Sequence, residues 1–222
     1  MSRSQPDKAG AGRKQFLLLD GSPILIHTLR KFAASPSVHE IVVALPADNI
    51  DFAREFVEKE TFASKVRFVE GGETRQQSVE NALAALSPGA NLVAVHDGVR
   101  PFVSIAAIEK VFEQAAQTGA AILGIVPVDT VKQVHLNRIR ATIPRDRLVL
   151  AQTPQVFRYD LLKRAFEAAR MDNFIGTDEA SLVERLDEVE VSVVPGSDRN
   201  IKITKPSDMD LARLYLAQER EA

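Results

Sequence analysis

The 222-residue sequence contains no cysteine, which excludes disulfide bonds, thiolate zinc sites and cysteine nucleophiles. Its 4 histidines are scattered without the spacing of metal ligands. The formal net charge of -2 lacks the basic excess that general nucleic-acid or membrane-surface binding requires. No apolar run approaches the roughly 20 residues that span a bilayer, and the polar N-terminus lacks a signal-peptide pattern. We therefore expect a cytoplasmic protein with no nucleic-acid or membrane partner.

Apolar segments alternate with helical patterns along most of the chain. Strands are predicted at 41–45, 66–69, 92–95 and 120–126, with helices between them. Thr74 and Gln77 form a capping-box pattern at the start of one of these helices. Crossovers of this length predict an α/β fold with a mostly parallel sheet and helices on both faces. Composition marks no internal boundary, so residues 1–222 are expected to form one domain.

The pattern changes after Pro127, where two short strand-like segments replace the helical crossovers. The segments 131–134 and 139–143 flank a polar turn, and together they predict a protruding β-hairpin, or arm, within residues 128–150. The arm is rich in lysine and arginine, a pattern that on its own indicates a solvated face.

A carboxylate and a guanidinium follow the predicted strand 92–95. Ligands of open α/β sheets bind outside the carboxyl ends of strands. Asp97 could therefore hold a metal ion, and Arg100 could hold a phosphate. The alternative is that Asp97 caps the next turn and pairs with Arg100.

Two further segments carry groups suited to a nucleotide. Gly71 and Gly72 join a strand to a helix N-terminus, where backbone amides favour a phosphate or a base, although a tight turn without a ligand is also possible. Ser78 can reach the same crevice or face solvent. The segment 198–204 alternates polar and apolar residues, which predicts a short strand with Lys202 on its polar face. An edge strand with exposed lysines is the alternative.

Seven short motifs occur together, in order, along the chain. They are Lys14-Gln15-Phe16, Gly71-Gly72-x-x-Arg75-x-x-Ser78-Val79, His96-Asp97-x-x-Arg100-Pro101, Asp129-Thr130, Thr153-Pro154-Gln155, Thr177-Asp178-Glu179-Ala180 and Asn200-Ile201-Lys202-x-Thr204. On these motifs the chain resembles the 2-C-methyl-D-erythritol 4-phosphate cytidylyltransferase family of non-mevalonate isoprenoid biosynthesis. The resemblance implies a Rossmann-like sheet, a homodimer, and transfer of CMP from CTP to methylerythritol phosphate with release of pyrophosphate.

The resemblance also implies roles for individual residues. Lys14 and Lys202 match lysines that contact the CTP phosphates, and Asp97 matches the residue that helps to place Mg²⁺. Positions in or beside the cytosine and ribose pocket are matched by Gly71, Gly72, Ser78, Gly98 and Arg100. In the family the arm crosses to the partner subunit and completes the acceptor site. Positions near methylerythritol phosphate are matched by Thr130, Arg145, Thr153 and Thr177.

One part of the family pattern is absent at the N-terminus. Family members begin with an apolar strand and a Gly-rich loop whose amides cradle the triphosphate. This sequence starts with polar residues and shows no strand before Leu17. The segment Ala9-Gly10-Ala11-Gly12-Arg13 follows no strand, and we predict that it is a flexible linker. We expect that Met1 corresponds to an internal methionine of the loop and that the natural chain begins upstream.

The leading interpretation is therefore a cytidylyltransferase, either for methylerythritol phosphate or for another alditol phosphate. A non-catalytic dimeric ligand-binding protein that has lost the triphosphate loop is the alternative of another class. Retention of Lys14, Asp97 and Lys202 favours the enzyme. Nucleic-acid binding through the arm is disfavoured by the acidic net charge and by the scarcity of aromatic residues near it.

Overall fold

The computed structural model describes residues 14–221. The strands are β1 Leu18–Leu19, β2 Ser22–Pro23, β3 Ile41–Leu45, β4 Val66–Glu70, β5 Leu92–Val95, β6 Ala120–Ile125, β7 Val131–His135, β8 Arg138–Ile143, β9 Leu150–Arg158 and β10 Ser192–Pro195. The helices are α1 Ile24–Ala33, α2 Ala47–Val57, α3 Arg75–Ala84, α4 Ile105–Thr118, α5 Tyr159–Met171, α6 Glu179–Glu184 and α7 Pro206–Glu221. Short 3-10 helices lie at Lys14–Phe16, Ala63–Lys65 and Arg145–Arg147. The linker predicted at residues 9–13 and the start of the chain lie outside the described residues.

The main sheet has four strands in the order β10-β6-β9-β5. Strands β10 and β6 are parallel, whereas β9 is antiparallel to both β6 and β5. Three of the four strands therefore run in one direction, and the predicted parallel-rich α/β sheet is confirmed. Strand β9 is reversed because it follows β6 through the arm rather than through a helical crossover, and strands joined by such a connection pair antiparallel.

Side chains of β6 point alternately to the two faces of this sheet. Ala120 and Ile122 pack in a cluster with residues of α5 and α6, whereas Ala121 and Leu123 pack in a cluster with residues of α4. Helices thus cover both faces, as the sequence predicts. Among the helices of residues 14–221, none combines the length and the apolar character needed to cross a bilayer.

Strands β3 and β4 form a separate parallel pair, which packs against α1 and α2. An open cleft of about 1420 Å³ lies between this pair and β5, and every residue of β3 and of β5 lines it. The polar residues that line the same cleft include Arg75, Ser78, Asp97 and Lys202. Asp97 lies in this cleft just after β5, and Arg75 lies there at the start of α3.

The predicted arm is a β-hairpin formed by β7 and β8. Its turn residues, Leu136 and Asn137, have positive φ angles of 46° and 60°. Positive φ at both central residues belongs to the two-residue turns whose twist matches that of a hairpin. The arm is mostly exposed, and its outward side chains include several large apolar ones.

The strand predicted at 198–204 is wrong, because the segment is irregular. Asn200 turns inward and is only 2% exposed, and its side-chain amide donates to the Thr153 carbonyl at 2.9 Å. Lys202 stays exposed and lines the cleft. The alternation of polar and apolar residues therefore reflects a loop that packs Ile201 and Ile203 in a core cluster and buries the Asn200 amide, not the two faces of a strand.

Candidate active site

Asp97 follows β5 and lies among three cations. Its Oδ2 is 3.1 Å from Lys202 Nζ and 3.2 Å from Arg100 Nε, and its Oδ1 is 3.6 Å from Arg75 Nε. Burial raises the pKa of Asp97, but the charges of the three cations outweigh this effect, so the pKa lies below the ordinary value. Arg75 is also paired with Glu179, so the two carboxylates leave the three cations with one excess positive charge, which favours an anion in the cleft.

Asp97 fits a magnesium ion as one ligand of a shared coordination shell. Residues 14–221 contain no group of three or more histidine or acidic side chains that could hold a metal ion. Mg²⁺ commonly takes one or two carboxylates and completes its shell with water and substrate phosphates. The contacts of Arg100 and Lys202 are with Oδ2, at 3.2 and 3.1 Å, whereas the contact of Arg75 is with Oδ1, at the longer distance of 3.6 Å. Oδ1 is therefore the oxygen that we assign to a cation.

Arg100 connects the turn after β5 to the loop that carries Lys202. Its Nη1 donates to the Asn200 carbonyl at 2.8 Å, and its side chain is only 13% exposed. Gly98, between Asp97 and Arg100, lines the cleft. The structure gives Arg100 a positioning contact, and its predicted contact with the nucleotide stays a prediction.

Ser78 holds the Gly71-Gly72 turn. Its Oγ accepts from the Gly72 N–H at 3.1 Å and donates to the Thr74 carbonyl at 2.9 Å. The capping box predicted at the start of α3 is present between Thr74 and Gln77. A Cβ atom on Gly72 would come within 2.3 Å of the Gln77 Cβ, so a side chain does not fit there. The Gly71 N–H donates to the Leu45 carbonyl at 2.8 Å, so the amides of both glycines are bonded within the protein and the turn is held in one conformation.

Thr153 and His96 form a chain of hydrogen bonds that holds the backbone at Asp97. His96 Nε2 contacts the Arg100 carbonyl at 3.1 Å, so this nitrogen must carry the proton, and the Thr153 hydroxyl then donates to Nδ1 at 3.0 Å. The same hydroxyl accepts from the Asp97 N–H at 3.1 Å. Thr153 is 5% exposed, so the structure gives its hydroxyl a supporting position; its predicted contact with the acceptor stays a prediction.

We predict that His96 makes the protein less stable in acid. Burial lowers the pKa of His96 from 6.5 to about 4. The unfolded chain therefore binds a proton below pH 6.5 that the folded protein does not, and stability is lost as the pH falls from 6.5 towards 4. The expected contribution is about 2 kcal/mol between pH 7 and pH 5, measured by urea unfolding with EDTA.

The control for this prediction is His96→Gln, which removes the titrating group and should flatten that part of the profile. His39→Gln alters an exposed histidine and should leave the wild-type slope. Parallel profiles for wild type and His96→Gln would contradict the prediction.

Sequence reasoning gave no role to Arg75 and Glu179, which the structure joins. Nη1 and Nη2 of Arg75, the first residue of α3, donate to Oε1 and Oε2 of Glu179 at 2.7 and 2.9 Å. Burial raises the pKa of Glu179 above its ordinary value, although Arg75 opposes the shift. The signal was present in the motifs, as an arginine directly after the glycine turn and a glutamate opening a helix, but nothing local connects them.

Four of the residues predicted to bind substrates have no contact with the Asp97 cluster within residues 14–221. Lys14 is exposed beside Gln15, which lines the cleft. Thr177 is exposed just before α6. Thr130 and Arg145 lie at the base of the arm, where Arg145 donates to the Val128 carbonyl. No ion pair or hydrogen bond of the described chain connects any of the four to the Asp97 cluster.

Known proteins match this chain over almost its whole length. The family model for IspD, 2-C-methyl-D-erythritol 4-phosphate cytidylyltransferase, matches residues 5–218. A protein of that name from Solibacter usitatus is 62% identical over an alignment of 224 positions, which covers 99% of this chain and 91% of that protein. One from Acidobacterium capsulatum is 51% identical over 210 positions, which cover 92% of this chain and 87% of that protein.

Solved structures agree with these relatives. The crystal structure of 4-diphosphocytidyl-2C-methyl-D-erythritol synthase from Anaerococcus prevotii has a TM-score of 0.86 at 33% identity, over 95% of this chain and 93% of that one. The 2-C-methyl-D-erythritol 4-phosphate cytidylyltransferase of Thermus thermophilus has a TM-score of 0.77 at 35% identity, over 92% and 94%. The chain that forms this cation-ringed cleft belongs to the 2-C-methyl-D-erythritol 4-phosphate cytidylyltransferase family.

Proposed function

We propose that this protein is a nucleotidyltransferase that transfers CMP from CTP to 2-C-methyl-D-erythritol 4-phosphate, with release of pyrophosphate, in non-mevalonate isoprenoid precursor biosynthesis. The observation that carries the proposal is the Asp97 cluster, in which one carboxylate faces three cations in the cleft of a family member. In this proposal residues 1–222 form a single nucleotidyltransferase domain with the arm at 128–150. Its substrates are water-soluble phosphates, so we place it in the cytoplasm.

The reaction explains why the cluster keeps excess positive charge. A phosphate oxygen of the acceptor attacks the α-phosphorus of CTP, and the bond to the bridging oxygen of the β-phosphate breaks as pyrophosphate leaves. Fixed cations around such an anionic transition state supply most of the catalysis. Lys202 is 43% exposed in the cleft and can reach the phosphates, and we assign Lys14 to the same task. Mg²⁺ bound by Asp97 and the phosphates would neutralise further charge.

The two substrates are assigned to different parts of the site. Cytosine and ribose are proposed to lie against the backbone of Gly71, Gly72 and Gly98 beside Ser78, because backbone carbonyls can accept hydrogen bonds from the amino group of the base. The hydroxyl-bearing residues Thr177 and Thr153 are proposed to lie near the acceptor.

The arm is proposed to pair with a second copy of this chain. Large apolar side chains on and beside it are exposed, among them Val134, Leu136, Ile139 and Leu150. A cluster of exposed apolar side chains on a protruding hairpin is typical of a protein interface. In the homodimer, Thr130 and Arg145 of each arm would complete the acceptor site of the other subunit, where Arg145 is suited to a bidentate phosphate contact.

Pyrophosphate release by the purified, folded protein with CTP, Mg²⁺ and methylerythritol phosphate tests the proposal. Erythritol 4-phosphate in place of the acceptor, and UTP in place of CTP, are matched controls that differ by one feature each. Release with the full set, and much slower release with either control, is expected. A folded protein that binds methylerythritol phosphate but releases no pyrophosphate would contradict the proposed activity.

A further inference from the structure

Glu179 is the one acidic side chain that the described part of the chain buries almost completely, at 1% exposed. Burying an ionised carboxylate is unfavourable unless a partner compensates for the lost water. The bidentate pair with Arg75 provides that partner. Because burial of the Glu179 carboxylate is unfavourable, we looked for a role of this ion pair besides packing.

The guanidinium of Arg75 is divided between two carboxylates. Both terminal nitrogens bind Glu179, whereas Nε lies 3.6 Å from Oδ1 of Asp97, beyond the range of a good hydrogen bond. Without Glu179, the same guanidinium would be free to close on Oδ1. That closure would occupy Oδ1, whereas Arg100 and Lys202 make their contacts with Oδ2.

We propose that Glu179 is a positioning residue that holds Arg75 away from Asp97 and so keeps Oδ1 open to the Mg²⁺ that accompanies CTP. The inference rests on the proposed function, in which Asp97 contributes to the binding of Mg²⁺ and CTP. It assigns to a buried ion pair the control of metal access rather than direct contact with a substrate.

Hydrogen bonds fix the starts of the two helices that carry the Arg75–Glu179 ion pair. Gln155 accepts from the Ala180 N–H at 2.9 Å and donates to Asp178 at 2.7 Å, which fixes the start of α6 to β9. Gln76, next to the arginine on α3, accepts from the Gly176 N–H at 3.0 Å. The start of α3 and the start of α6 are therefore tied together, which fixes the backbone positions of Arg75 and Glu179 relative to each other.

The test measures the Kd of CTP by calorimetry without acceptor, once in EDTA and once in saturating Mg²⁺. The ratio of the Kd in EDTA to the Kd in Mg²⁺ is the tightening factor. Glu179→Gln keeps the shape of the side chain but removes its negative charge and one of the two oxygens that accept from Arg75. We expect the tightening factor to fall by about tenfold, the scale of outer-shell effects on metal affinity, while CTP affinity in EDTA changes little. Glu60→Gln is the matched control, because it alters the bidentate pair of Arg30 and Glu60, which does not line the cleft.

Arg75→Gln supplies the second arm of the test, and it keeps the inference open to refutation if Glu179→Gln does not fold. The tightening factor of Arg75→Gln should equal or exceed that of wild type, since no guanidinium then competes for Oδ1. In this background, adding Glu179→Gln should have no further effect.

Each other outcome overturns the inference. A wild-type tightening factor in Glu179→Gln shows that Glu179 does not control metal access. The same loss in the double variant shows that Glu179 does not act through Arg75. Weaker CTP binding by Arg75→Gln, equally with and without Mg²⁺, makes Arg75 a phosphate ligand. The wild-type pyrophosphate assay tests the proposed activity separately, because the calorimetry uses no acceptor and no turnover.

Discussion

Lys202→Ala is expected to lower kcat by at least about 10²-fold, the scale for the loss of one charge-stabilising group. Lys202 is the most exposed of the three cations around Asp97, so it can approach the α-phosphate as charge develops there. Arg100 is held by the Asn200 carbonyl and Arg75 by Glu179, and neither can replace it without breaking those contacts. Steady-state kinetics with both substrates saturating measures the effect.

The pH profile of the same variant separates a catalytic role from a structural one. Lys202 helps to lower the pKa of Asp97, so its removal should raise that pKa and move the acid limb of the activity profile to higher pH. Lys205→Ala, which alters an exposed lysine three residues away, should keep wild-type turnover and profile. Near-normal turnover of Lys202→Ala would remove this lysine from the mechanism.

The parts of the fold that could be predicted are those with a local pattern. Strands β3 and β5 are short apolar runs, and both begin and end in the structure at the residues that the sequence predicts. Strand β9 has no continuous apolar pattern, because Gln152, Thr153 and Gln155 interrupt it although all three are buried. Their partners, such as the Ser197 carbonyl, lie in distant loops. Burial of a polar side chain depends on such partners, which no local pattern reveals.

The candidate site shows the same division. Motif spacing identified Asp97, Arg100 and Lys202, which the structure brings within hydrogen-bond or ion-pair distance. The pair of Arg75 and Glu179, 104 residues apart, needed the folded chain, because its geometry depends on how α3 and α6 pack. Family resemblance predicts which residues face substrates, whereas the contacts that orient those residues depend on the packed protein.

Arg145→Ala is expected to raise the KM for methylerythritol phosphate by about 10²-fold, because charge-assisted hydrogen bonds to a phosphate contribute about 1.5–3 kcal/mol. The KM for CTP should change little, since Arg145 lies at the base of the arm and has no contact with the Asp97 cluster within residues 14–221. Arg138→Ala, an exposed arginine on the same arm, is the matched control.

Mixed dimers then test whether the arm acts on the partner subunit. Arg145→Ala and Lys202→Ala subunits, each nearly inactive alone at low acceptor concentration, are mixed and allowed to exchange. If each site combines Lys202 of one subunit with Arg145 of the other, half of the dimers are mixed and each has one intact site, so about a quarter of the sites recover. If each site uses residues of one subunit, no combination restores both groups, and activity stays at the level of the separate variants. Recovery would therefore support both the homodimer and the exchange of arms, whereas its absence after proven subunit exchange would contradict the shared site.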